Sequence, residues 1–102
     1  MVIYSVTVTI KKEIENEWVS WMKEAHLSDV MSKGYFESWK MLKMLIPAST
    51  ANEITYIVQY TVSSMEKYEE YAKNEAARLQ SEHARKFPGK FKAARAVLEE
   101  LS

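Results

Sequence analysis

Residues 2–10, V-I-Y-S-V-T-V-T-I, carry an apolar side chain at every even position, with Ile3, Ser5, Thr7 and Thr9 between. Glu53 to Val62 repeats the pattern. Ile54, Tyr56, Val58, Tyr60 and Val62 lie on one side, and Thr55, Ile57, Gln59 and Thr61 on the other. Side chains alternate across a strand, so each stretch predicts a strand with one face in a core. Both are rich in β-branched and aromatic residues, which suit a pleated surface. Faces this apolar need a covering layer.

The cover is legible between and after them. From Lys11 to Ala25 the period changes to about 3.6 residues. Ile14, Trp18, Trp21 and Ala25 then share a face, with Met22 at its edge. An unbroken helix would carry Asp29 into the middle of that face. The expectation is a break near His26-Leu27-Ser28, with Ser28 capping a short last turn and Gly34 ending it. Tyr35 to Ile46 reads as a long strand ended by Pro47, and Lys40 and Lys43 mark it as an edge. Pro47 to Asn52 is a turn.

A second helix opens at S-S-M-E, with Ser63 as N-cap and Glu66 completing a capping box. Its stripe is Met65, Tyr68, Ala72, Ala76, Leu79 and His83, and Pro88-Gly89 stops it. Lys90 to Leu98 contains good helix formers, but the sheet wants a fourth member and the segment is read as a strand. The order is β-α-β-β-α-β. It predicts an α+β fold, the ferredoxin-like plait, a four-stranded antiparallel sheet with two helices on one face. At 102 residues the chain is expected to be a single domain, 1–102.

Charge and composition narrow the partners. Lys plus Arg equals Asp plus Glu at 14 each, so the chain lacks the basic excess that phosphate neutralisation demands. Neither nucleic acid nor an anionic membrane is an expected partner. The chain has no cysteine, which excludes thiolate chemistry and cysteine metal sites. Met1 to Thr7 alternates like a strand and has no signal-peptide pattern, so cytoplasmic residence is the expectation. No apolar run approaches the roughly 18 residues of a membrane span.

The odd strand faces are uncharged. A solvated sheet face usually carries lysine and glutamate, so Ile3, Ser5, Thr7, Thr9, Thr55, Ile57, Gln59 and Thr61 predict burial against a second copy. With that outer face, the chain resembles the dimeric α/β-barrel superfamily, in which two plaits stack sheet to sheet. More closely, E-W-V-S-W-M-K-E-A-H (17–26), G-Y-F (34–36), T-Y-I-V-Q-Y (55–60), S-M-E-K-Y (64–68) and L-Q-S-E-H-A-R-K-F (79–87) resemble an uncharacterised bacterial family. That family is labelled only a domain of unknown function. The resemblance implies the fold and a homodimer, and it implies no activity.

The candidate chemistry rests on few residues. His26 and His83 are the side chains that titrate near neutrality. In barrels of this superfamily the pocket lies between helices and sheet, which implies a cleft bordered by both. There each is a candidate catalytic general base or hydrogen-bond partner; the plainer alternative is a structural imidazole with its bonds satisfied. Trp18, Trp39, Tyr56 and Tyr60 are candidate pocket walls, although such residues are more often core. Arg95 can hold a carboxylate or make a dimer salt bridge. Two histidines far apart, without H-E-x-x-H, fall short of a metal-ligand set, and Gly34 and Gly89 cannot make a phosphate loop. No metal and no cofactor is expected.

Two functions of different class follow. One is a homodimeric small-molecule-binding protein whose aromatic cleft takes a small apolar or aromatic ligand. The other is a cofactor-independent oxygenase, isomerase or cyclase with His26 as general base and His83 orienting.

Overall fold

The computed structural model describes all residues, 1–102. Strand β1 (Val2–Lys11) pairs antiparallel with β3 (Glu53–Val62), from Val2 opposite Val62 to Lys11 opposite Glu53. On its other edge β1 pairs with β4 (Phe91–Glu99), placing Val6 opposite Arg95. Strand β2 (Ser38–Lys43) adds to β3 with Trp39 opposite Tyr60. The order β2-β3-β1-β4, antiparallel throughout, is the ferredoxin-like plait. The two alternating strands are central and the lysine-bearing one is an edge.

That edge strand is shorter than its sequence suggests. One ladder bond lies beyond each end, Glu37 N–H to the Thr61 carbonyl and Met44 N–H to that of Thr55. Before it, Phe36 turns into the core and stacks on Tyr60, ring centroids 4.8 Å apart. Burying Phe36 under the helices is incompatible with its standing in the edge ladder. After it the chain departs, leaving Leu45 75% and Ile46 92% exposed.

The first helical arm corrects the expected break. A 3₁₀ turn (Lys12–Ile14) leads into α1 (Glu15–Trp21), a π turn (Met22–His26) and α2 (Leu27–Ser32), without interruption and without a cap at Ser28. In the π turn the N–H of Leu27 donates to the Met22 carbonyl, enclosing one residue more than an α turn. The inward stripe therefore runs Trp18, Met22, Leu27 and Val30, all buried. Ala25 is exposed and Met22 replaces it on the core face. Asp29 moves to the flank, where its carboxylate accepts from Arg78 at 3.0 Å. Gly34, at φ +79°, ends the arm.

The second arm comprises α3 (Met65–Asn74) and α4 (Ala76–Lys86), joined through Glu75 at φ −127° and ψ −29°. Its N-cap is Ser64 rather than Ser63, because the N–H of Lys67 donates to Ser64 Oγ at 3.2 Å. Tyr71, Leu79 and His83 are its buried residues, whereas Met65 and Ala72 face out. The change of direction at Glu75 keeps one regular stripe from serving the whole arm.

The buried residues of both arms form one cluster with the even faces of β1 and β3. None of the odd-face residues of those strands is buried. Both arms therefore cover one side of the sheet, and the other side is uncovered by this chain. No helix is long and apolar enough to cross a membrane.

Candidate functional site

A cavity of about 40 Å³ lies between the helical layer and the sheet. Its helix side is Met22 and His26 from the π turn with Leu79, Gln80 and His83 from α4; Tyr71 comes from α3. Its sheet side is Tyr4, Val6, Val8, Val58, Tyr60, Ala93 and Arg95. Even-face periodicity aims the first tyrosine and the valines inward from β1 and β3. Arg95 stands on the same side because it is opposite Val6 in the register. Apolar walls with a few convergent polar groups are the usual make-up of a ligand site.

The two histidines meet here, with ring centroids 6.1 Å apart. They are held differently. Trp18, fully buried behind the cavity, donates its indole N–H to Nε2 of His83 at 2.9 Å. Indole is a donor only, so that nitrogen is unprotonated and the proton of neutral His83 is assigned to Nδ1. Burial, reinforced by the charges of His26 and Arg95, pulls the His83 imidazole down to about 4, so it is neutral at physiological pH. Its Nδ1 has no hydrogen bond within the chain and is not sealed away, since His26 Nδ1 is the only buried side-chain nitrogen or oxygen left unpartnered.

His26 stacks on Trp21 at 5.0 Å between ring centroids. Burial also lowers its pKa, with Asp29 and Glu82 opposing and Arg78 assisting. An unsatisfied buried polar atom costs about 1–3 kcal/mol, so the orphaned Nδ1 is a cost the fold carries at this position. The π turn gives the local reason for the ring's location. It sends Leu27 into the core and leaves His26 beside it, at the cavity wall.

The cavity phenols stay protonated. Burial raises the pKa values of Tyr4, Tyr60 and Tyr71, against the Arg95 charge, which lowers all three. Arg95 itself is exposed and takes no part in the ion pairs on the surface, and no carboxylate lines the cavity.

Of the residues singled out in the sequence, His26, His83, Tyr60 and Arg95 come together at this cavity. Trp18 stands behind His83 and does not line it. Tyr56 points elsewhere: its hydroxyl donates to Glu15 Oε2 at 2.6 Å, and burial with this bond pushes its pKa up to about 12. Trp39 is on the edge strand, 36% exposed and outside the lining. Tyr71 and Gln80 belong to the lining and escaped the sequence reading. Tyr71 falls outside a stripe drawn back from Leu79 and His83, because the non-helical Glu75 shifts the phase between α3 and α4. Gln80 has no signal beyond adjacency to Leu79. No three His, Asp or Glu side chains converge as a metal would require.

A family model described as "Domain of unknown function (DUF4286)" matches residues 1–101. No curated protein is found to match. Among solved structures, a dimeric ferredoxin-like protein from an uncultured marine organism is 15% identical, with a TM-score of 0.74 over 100% of this chain and 96% of that one. A hypothetical Arabidopsis thaliana protein is 18% identical, with a TM-score of 0.70 over 99% of this chain and 88% of the other. SnoaB, a cofactor-independent oxygenase from Streptomyces nogalater, is 9% identical, with a TM-score of 0.64 over 99% and 94%. At these identities the likeness is one of fold.

Proposed function

This chain belongs to the DUF4286 family, which brings no activity with it, and we propose that it is a homodimeric small-molecule-binding protein whose ligand enters the cleft between helices and sheet. One observation carries the reading: both histidines, three tyrosines and an arginine outside every ion pair, from six separate elements, converge on one apolar-walled space. Polar groups gathered from distant parts of a chain into a core need partners, and a bound ligand supplies them.

Size limits what enters. About 40 Å³ is room for roughly three water-sized groups, far below the roughly 300–1,000 Å³ that encloses a drug-sized ligand. The ligand inserts a small head group, and its body lies at the exposed Arg95–Gln80 side. The dimer reading rests on the outer sheet face, where Leu42, Ile57, Thr7 and Ala94 form one uncharged row across all four strands. It is in keeping with a structural neighbour described as dimeric.

A second reading, a cofactor-independent oxygenase, isomerase or cyclase, is supported by His26 at the cavity wall, whose lowered pKa leaves a ring nitrogen unprotonated as a general base requires. It is opposed by the burial of His26 Nδ1 away from any ligand. The small cavity weighs against a ring-sized substrate at that nitrogen. A thermal-shift screen of metabolites on wild type and His26→Ala tests both readings. A compound that stabilises only the wild type supports the cleft as its site; turnover of that compound favours the enzyme. A panel with no stabilising member removes the binding proposal.

A further inference from the structure

Every charged or donor group that faces the cleft favours the same kind of guest. Arg95 is cationic and has no carboxylate partner among the residues around it. His83, a lining residue, carries its proton on Nδ1, because Trp18 occupies its other nitrogen. The phenols of Tyr4, Tyr60 and Tyr71 and the amide of Gln80 can all donate. Asp29 and Glu82, the acids nearest His26, are engaged by Arg78 at 3.0 and 2.9 Å outside the lining. A cation beside a low-dielectric wall, without a counter-ion, leaves a positive potential in the cleft that a neutral guest does not offset.

We infer that the cleft accepts the carboxylate head of a small organic anion, with Arg95 as counter-ion and the His83 Nδ1–H and tyrosine hydroxyls as hydrogen-bond donors. This rests on the reading of the cleft as a ligand site. A carboxylate has three heavy atoms, which matches room for about three water-sized groups. Phosphate and sulfate, with five, exceed it. Arginine suits the head because its planar fork meets a carboxylate in two parallel bonds. The rest of the molecule leaves past Gln80 toward solvent.

The test is calorimetric and NMR titration of the full chain with acetate, propionate and benzoate, against benzamide and inorganic phosphate. Carboxylates are expected to bind, with shifts at the Trp18 indole and His83 ring signals, and benzamide and phosphate are not. Arg95→Gln is expected to weaken benzoate about tenfold or more, and Arg95→Lys less. Arg95 is exposed and unpaired, so neither variant threatens the fold; circular dichroism confirms this. Equal binding of benzamide and benzoate, unchanged in Arg95→Gln, overturns the inference and leaves the cleft proposal standing. No binding by any of the three carboxylates overturns it as well, while a neutral compound emerging from the thermal-shift screen keeps the two outcomes distinct.

Discussion

The indole N–H of Trp18 donates to Nε2 of His83 at 2.9 Å, joining the two helical arms across 65 residues of sequence. The bond is buried, and it decides which nitrogen of His83 carries the proton. Nitrogen-15 NMR of the imidazoles between pH 6 and 8 is expected to show His83 neutral and protonated at Nδ1. A signal from the opposite tautomer would contradict the bond. Trp18→Phe leaves Nε2 buried without a partner, and the loss is expected to be roughly 1–3 kcal/mol in denaturant unfolding, beyond the smaller ring's packing deficit.

Stability is expected to depend on pH through the same residue. In the unfolded chain a histidine titrates near 6.5, whereas folded His83 titrates at about 4. Between those values the unfolded state binds a proton that the folded state refuses. Stability from this group is therefore complete above about pH 6.5 and falls as the pH drops toward 4, by roughly 3 kcal/mol in all. His26, also lowered, adds a loss of the same sign. Glu13, Glu15 and Asp29, held below the usual carboxylate range by Lys90, Tyr56 and Arg78 respectively, contribute only at lower pH. Chemical denaturation at pH 7.5 and pH 5 should differ in wild type and much less in His83→Gln, whose amide can still accept from Trp18.

His26→Phe separates function from structure. The phenyl ring keeps the stack on Trp21 and removes the orphaned nitrogen, so unfolding stability is expected to hold or rise by up to about 1 kcal/mol. Ligand stabilisation is expected to fall. A marked drop in stability would show His26 to be a structural residue whose bonds are made in some other way.

The outer face gives a prediction about assembly. Ile57 stands in the middle of that face, opposite Thr7 on β1 and Leu42 on β2. Ile57→Lys places a charge in the proposed dimer contact and leaves the helix-covered core untouched. Sedimentation is expected to change from dimer to monomer, with the circular dichroism spectrum retained. A wild-type monomer at micromolar concentration would end the dimer proposal at once.

Most of the plait was legible because β1 and β3 alternate without a fault and both sit centrally, where each face is set by packing. The helices were harder for a specific reason. Asp29 conflicts with an α-helical stripe, for which a break near His26 is the simplest remedy in the sequence; the chain resolves it by widening one turn. Period analysis assumes a constant angle per residue, so a π turn looks like a break. Ser63 and Ser64 are adjacent and equally able to cap, and only the extended backbone at Ser64 decides between them. In the cleft, strand parity located Tyr60 and Arg95. The same parity put Tyr56 on the correct face but not in the correct place, since Glu15 claims its hydroxyl. Trp39 shares a face with Tyr60, and its position on an edge strand leaves it outside the helical cover.

The π turn has a consequence for how this chain compares with its relatives. Five-residue closure holds one residue more than an α-helix needs, so removing Glu24 would leave Trp18, Met22, Leu27 and Val30 at intervals of four, four and three. That is an ordinary α-helical stripe with the core contacts in phase. A homologue can thus lose the bulge through a single codon deletion and keep its fold, and an alignment would record only a one-position gap between Lys23 and Ala25. Such a gap would mark the members in which the wall beside His26 has been rebuilt.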